Sequence, residues 1–129
     1  MTKFQLSPIA TILAHATHAQ EPQWFTTAPI GAINKLLTKL GWSIADVDLF
    51  EINEAFAVVT MAAQQELKIP LEKINIHGGA TVLGHPIGAS GARILVTLIY
   101  ALRQRKLKRG IAALCLGGGE AVAMAIECH

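Results

Sequence analysis

The chain is short of charge, of aromatic rings and of thiols. Only 16% of its 129 residues are Asp, Glu, Lys or Arg and 5% are aromatic, against 52% apolar. So little charge among so many Ala, Ile, Leu and Val residues excludes a disordered segment. The formal net charge is +2, too small to argue for a nucleic-acid partner. Two cysteines, Cys115 and Cys128, build no disulfide framework, and a reducing compartment is the matching expectation. Long apolar runs are also missing. The opening MTKFQLSPIATILAHATHAQ is interrupted by Pro8, Thr11, His15 and His18, so it offers neither a signal-peptide core nor a membrane span. A soluble, cytoplasmic protein without a membrane partner is expected. Metal is not expected either: His15 and His18 fall on opposite faces of a strand, and no Cys-x-x-Cys or His-Glu-x-x-His pattern occurs.

What is abundant is apolar surface. A single domain of this length cannot hide all of it, so part is expected to meet a missing domain or a second copy, as in a homo-oligomer. Five of the seven residues from Arg103 to Arg109 are basic. They read either as a solvated helix end offsetting the helix dipole or as a phosphate-contacting patch. No aromatic side chain interrupts them, which argues against single-strand nucleic-acid binding.

Periodicity supplies the elements. Residues 9–17 read as a strand. A helix follows, with Thr27 as its cap, Pro29 in its first turn, Gly41 as its left-handed stop, and Ile33, Leu36, Leu37 and Leu40 at helical spacing. Ser43–Asp46 reads as a capped turn and residues 48–52 as a second strand. A helix over about 54–67 carries Phe56, Val59 and Ala63 on one face. Residues 74–77 suggest a third strand before a glycine-rich stretch. The helix over about 88–106 has Ile94, Leu95, Leu98, Ile99 and Leu102 as its stripe. Two last strands, 111–116 and 121–127, meet at Gly117-Gly118-Gly119 as a hairpin. The fold class is α/β, one domain over 1–129, in the order β-α-β-α-β-α-β-β with helices on a mixed sheet.

Three stretches put reactive side chains at strand ends or in glycine loops, where function concentrates. In Asn53-Glu54-Ala55-Phe56-Ala57, Asn53 is either a helix N-cap or an amide that fixes a water or carbonyl oxygen. Residues 78–91 hold five glycines in fourteen positions around His85-Pro86. That spacing is neither a phosphate loop nor a dinucleotide fingerprint. A lone histidine is usually structural, but here His85 is a candidate for proton transfer or oxyanion contact. Cys115, at a strand end beside Gly117, is either inert packing or marks a place for an acid/base thiol or an oxyanion hole built from the glycine N–H groups.

In their order and spacings, NEAFA, GGATVLGHPIGASGAR and CLGGGEA resemble the thiolase family, and the resemblance extends over nearly the whole chain. It is to the C-terminal half of that family, in the acetyl-CoA C-acetyltransferase branch. The resemblance implies interconversion of two acetyl-CoA with acetoacetyl-CoA and CoA through an acyl-cysteine. It implies that His85 activates the nucleophile and, with a water held by Asn53, forms one oxyanion hole. Cys115 would move the α-proton of the second acetyl group and protonate the leaving thiolate, and the Gly117 N–H would serve a second oxyanion hole. CoA thioesters would be substrates, with no cofactor. The chain departs from the family at His77, where Asn is common, and at Glu120-Ala121, where Met-Gly is common. The acyl-accepting cysteine belongs to an N-terminal half that these residues do not include, so the chain alone is expected to be incompetent. Two other classes stay open: a non-catalytic docking module, and an acyl-CoA-binding protein without turnover.

Overall fold

The computed structural model describes residues 2–129. Its strands are β1 (Ala10–Ala19), β2 (Leu49–Ile52), β3 (Arg109–Leu116) and β4 (Glu120–Cys128). Its α-helices are α1 (Ala28–Leu40), α2 (Ala57–Leu67), α3 (Ala80–Leu83) and α4 (Ser90–Arg105). The strands form one mixed sheet in the order β1-β4-β3-β2, with β2 parallel to β3 and the other pairs antiparallel. This is the expected α/β class.

Strand alternation decides which helix covers which face. On one face Phe50, Ile52, Ile111 and Ala113 meet Ile33 and Leu36 of α1 and Val59 and Ala63 of α2. On the other, Leu49, Ala112 and Ile126 meet Ile94, Leu98 and Leu102 of α4. Each such fully buried large side chain stabilises by roughly 1.5–3 kcal/mol relative to exposure. The helix stripes follow the predicted spacing, although Leu40, Leu95 and Ile99 are only half-buried. Gly41 takes the left-handed stop at φ 65°. The β3–β4 loop turns through Gly119 at φ 92°, and a Cβ there would lie 2.3 Å from the Gln20 carbonyl oxygen. Only glycine allows that approach.

Four expectations need correction. Residues 74–77 make no strand: Ile74 forms one isolated bridge to Phe50, and Asn75 then turns to φ 45°. Its side-chain amide replaces a strand instead, accepting from the Ile52 N–H and donating to the Ile52 carbonyl, both at 2.8 Å. Asn is among the few residues that tolerate this backbone region. The helical order is therefore β1-α1-β2-α2-α3-α4-β3-β4, with the short α3 inside the glycine-rich stretch. Thr27 sits at the N-cap position but makes no cap hydrogen bond, because a 3₁₀ turn over Pro22–Thr27 leads directly into α1. Its hydroxyl donates to the Trp24 carbonyl. The second helix starts at Ala57 rather than Glu54, since Phe56 is extended (φ −145°, ψ 156°). Phe56 is accordingly exposed, edge-on to Phe25, and is not on the buried face of α2.

The basic run is used structurally. Arg103 and Arg105 end α4, where cations offset the dipole. The Arg109 guanidinium lies 4.7 Å from the Trp42 ring centre and 3.7 Å from Glu127, and Asp48 accepts the N–H groups of Lys108 and Arg109. The surplus of apolar surface is visible at Ile12 and Leu13 on the edge strand β1, and at Val82, Leu83 and Ile87 on the glycine loop. Among the described residues no helix is long and apolar enough to cross a membrane, and no group of three or more His, Cys, Asp and Glu side chains is arranged to hold a metal ion.

Candidate active site

The parallel pair β2–β3 sets the location, because open sheets place ligands beyond the carboxyl ends of parallel strands. Asn53 leaves β2 there, its N–H continuing the ladder to the Ala113 carbonyl at 2.9 Å. Asn53 is fully buried. It is not a helix cap; its side chain points at His85, with Nδ2 3.2 Å from Nε2 and 3.5 Å from Nδ1. His85 follows Gly84 (φ 92°) and precedes Pro86, a loop that α3 and α4 hold at both ends. The Ser90 hydroxyl, buried at the start of α4, meets the other ring nitrogen, Nδ1, and lies 3.4 Å from the Pro86 carbonyl oxygen.

Glu54 ties the loop to the strand. Its carboxylate accepts from the Thr81 N–H at 3.1 Å, the Thr81 hydroxyl at 2.6 Å and Asn75 Nδ2 at 3.2 Å. Burial works against its charge, but the Thr81 and Asn75 donors outweigh burial and hold the carboxyl below its usual range. A Cβ on Gly79 would lie 2.4 Å from the Glu54 carboxyl carbon, so this clamp requires glycine there.

Cys115 is 5% exposed near the end of β3, and burial pushes its thiol above the ordinary cysteine range. At neutral pH it therefore holds its proton, the state required of an acid. A cavity of 450 Å³ brings His85, Ser90, Cys115 and Gly117 onto one wall system, with Ile87 at its mouth. All four predicted site residues thus converge, three lining the cleft and Asn53 hydrogen-bonded to His85. A larger hollow of 690 Å³ lies over Thr17, Lys35 and Glu120 and shares Leu114 and Leu116 with this cleft. The smaller one is the candidate site because it joins an imidazole to a thiol beyond the carboxyl end of the parallel strand pair.

Sequence reasoning missed four contributors. Glu51 is 2% exposed, and Arg93 Nη1 donates to its carboxyl at 2.7 Å. Desolvation raises the Glu51 carboxyl to about 7 in spite of that ion pair. Ser90 and Glu54 complete the set. The available signal was spacing: Glu51 and Asn53 alternate on one strand face, and Ser90 and Arg93 are three apart on one helix face.

Residues 6–128 match the family described as thiolase, C-terminal domain. An acetyl-CoA acetyltransferase of Allochromatium vinosum is 50% identical over 122 residues, and a cytosolic acetyl-CoA acetyltransferase of mouse is 52% identical. Each match covers 95% of this chain and 31% of the relative. Among solved structures, the Bacillus anthracis acetyl-CoA acetyltransferase superimposes with a TM-score of 0.95 at 45% identity, covering 99% of this chain and 32% of that one. A thiolase from Ascaris suum in complex with coenzyme A gives 0.92 at 45% identity, covering 99% of this chain and 33% of that one. The chain spans about a third of the length of the relatives it matches. It belongs to the thiolase family, as a C-terminal domain of that family.

Proposed function

We propose that these residues supply the acid–base part of an acyl-CoA acetyltransferase site, completed by an N-terminal thiolase half that brings the acyl-accepting cysteine. The observation that carries this reading is the convergence of His85, Cys115 and Gly117 on one cleft with Asn53 hydrogen-bonded to His85. In thiolysis of acetoacetyl-CoA, His85 takes the proton of the accepting thiol as its sulfur attacks the 3-keto carbon. The C2–C3 bond breaks, and Cys115 gives its proton to the departing enolate of acetyl-CoA. CoA then takes the acetyl group from sulfur, its thiol proton returning the site to its starting state. An imidazole and a thiol lining one cleft suit two proton transfers of opposite sense. The Gly117 N–H and an Asn53-held water are the oxyanion donors in this scheme. CoA thioesters enter as substrates, and no cofactor takes part. Both cysteines are free and buried, in keeping with a reducing cytoplasm. The exposed apolar side chains suit contact with the N-terminal half and with a second copy.

The test is loss of acetoacetyl-CoA in the presence of CoA. The protein alone is expected to give no turnover, and adding the N-terminal portion of the Allochromatium vinosum relative is expected to start it. Turnover by the protein alone at the rate of a full-length thiolase contradicts the shared site.

A further inference from the structure

Arg93 touches two groups that the sequence places on one face of β2. Residues 51 and 53 alternate toward α4, and the guanidinium spans both: Nη1 to Glu51 Oε1 at 2.7 Å, Nη2 to Asn53 Oδ1 at 3.4 Å. A guanidinium has only donors, so the atom of Asn53 that faces it must be the carbonyl oxygen. The amide NH₂ is then left facing His85, 3.2 Å from Nε2 and 3.5 Å from Nδ1; Nε2 is the nearer, and Ser90 already occupies Nδ1. An NH₂ group has no acceptor, so Nε2 must keep its lone pair. The ring proton belongs on Nδ1, where Ser90 Oγ accepts it and passes its own hydroxyl proton toward the Pro86 carbonyl. Turned by 180°, the same amide would present its oxygen to the ring and favour a proton on Nε2.

We propose that Arg93 is a positioning residue: it sets the Asn53 amide and, through it, keeps Nε2 of His85 unprotonated, while Glu51 holds the guanidinium in place. The benefit of that tautomer for catalysis rests on His85 being the base of the proposed reaction. The tautomer itself does not. Ser90 alone would fix Nδ1 only weakly, since a hydroxyl can donate or accept. Arg93 is what removes the ambiguity. Glu51 is needed because a lone guanidinium on a long side chain has no reason to stay at this depth.

The measurement is nitrogen NMR of the histidine rings in the labelled protein, at a pH where His85 is neutral, with the His85 signals assigned by their loss in His85→Gln. The unsubstituted protein is expected to show the Nδ1–H form of His85. Arg93→Lys cannot span two acceptors with one planar fork. It is expected to shift the tautomer ratio toward Nε2–H by about fivefold, the weight of one net hydrogen bond. Removing Arg93 alone would strand the Glu51 carboxyl in the core, so the second variant is Glu51→Leu with Arg93→Met, which deletes both charges at similar volume. It is expected to fold and to show the same shift. An unchanged Nδ1–H spectrum in these folded variants overturns the proposal. With the N-terminal half added, Arg93→Lys is expected to lower kcat with KM little changed. A tautomer shift in a protein that no N-terminal half can activate would uphold Arg93 as the positioning residue and refute the proposed reaction.

Discussion

In a mixture of the protein with the N-terminal portion of a thiolase, Cys115→Ala is expected to lower thiolysis of acetoacetyl-CoA by about a thousandfold, within the range for losing a positioned acid or base. The effect should be chemical rather than structural. Cys115 is small and packs among Ala113, Ala121 and Ala123 in an alanine-rich part of the core, so removing one sulfur leaves a minor void. Transfer of an acetyl group from acetyl-CoA to the partner's cysteine requires His85 but moves no proton on C2, and the departing CoA thiolate that Cys115 would protonate is stable enough to take its proton from water instead. That half-reaction is therefore expected to survive in Cys115→Ala and to be visible as an acetyl adduct by mass spectrometry. In His85→Ala it should be lost. A Cys115→Ala protein with near-normal thiolysis would mean that the buried thiol is packing, the bland alternative for a cysteine in an apolar strand.

Stability is expected to fall by about 2 kcal/mol between pH 5 and pH 8 through Glu51 alone. Burial at 2% exposure is the leading cause of its rise from 4.5 to about 7, with the Arg93 ion pair pulling the other way and Glu54 adding a like charge. The sign follows from proton counting. Between those two values the folded carboxyl holds a proton that the unfolded chain has lost, so raising the pH favours unfolding. The extra stability is complete below 4.5 and is lost as pH rises through about 7. Glu54 acts in the opposite sense at lower pH, because its carboxyl is held below the usual range and loses its bonds only on acidification. Urea midpoints measured from pH 5 to 8 should decline in the unsubstituted protein and flatten in Glu51→Gln. A flat profile in both would show that the Glu51 carboxyl is ionised across the whole window.

Much of the scaffold was legible in the residues. Pro29 and Gly41 bracket α1 because one lacks the N–H that a first turn does not use and the other takes a backbone angle closed to most side chains. The stripe through Ile94, Leu98 and Leu102 announced α4, and the triple glycine announced the final hairpin. What could not be read was competition between side chain and backbone. Asn75 suggested strand by its neighbours, Ile74 and Ile76, yet its amide pairs with Ile52 better than its backbone could. Thr27 looked like a cap, but the turn before it satisfies its hydroxyl first.

The site shows the same division. His85, Cys115 and Gly117 stood out in the sequence because they lie in glycine-dense loops at strand ends, and the fold brings them onto one cleft. The choice between a helix cap and a buried donor for Asn53 needed the fold, since both use the same amide. Glu51 and Arg93 lie 42 positions apart, and nothing local links them. Only the packing of α4 across β2 brings a guanidinium to a carboxyl that would otherwise be costly to bury.

The most direct test of the central claim, that Cys115 exchanges the α-proton of an acyl-CoA held in this cleft, is deuterium entry into acetyl-CoA. The protein, joined by the N-terminal portion of a thiolase, is incubated with acetyl-CoA in D₂O, and the methyl signal is followed by proton NMR. Exchange that requires Cys115 and disappears in Cys115→Ala is the expected result. Exchange at an undiminished rate in Cys115→Ala, or no exchange in a mixture that carries out thiolysis, would contradict it.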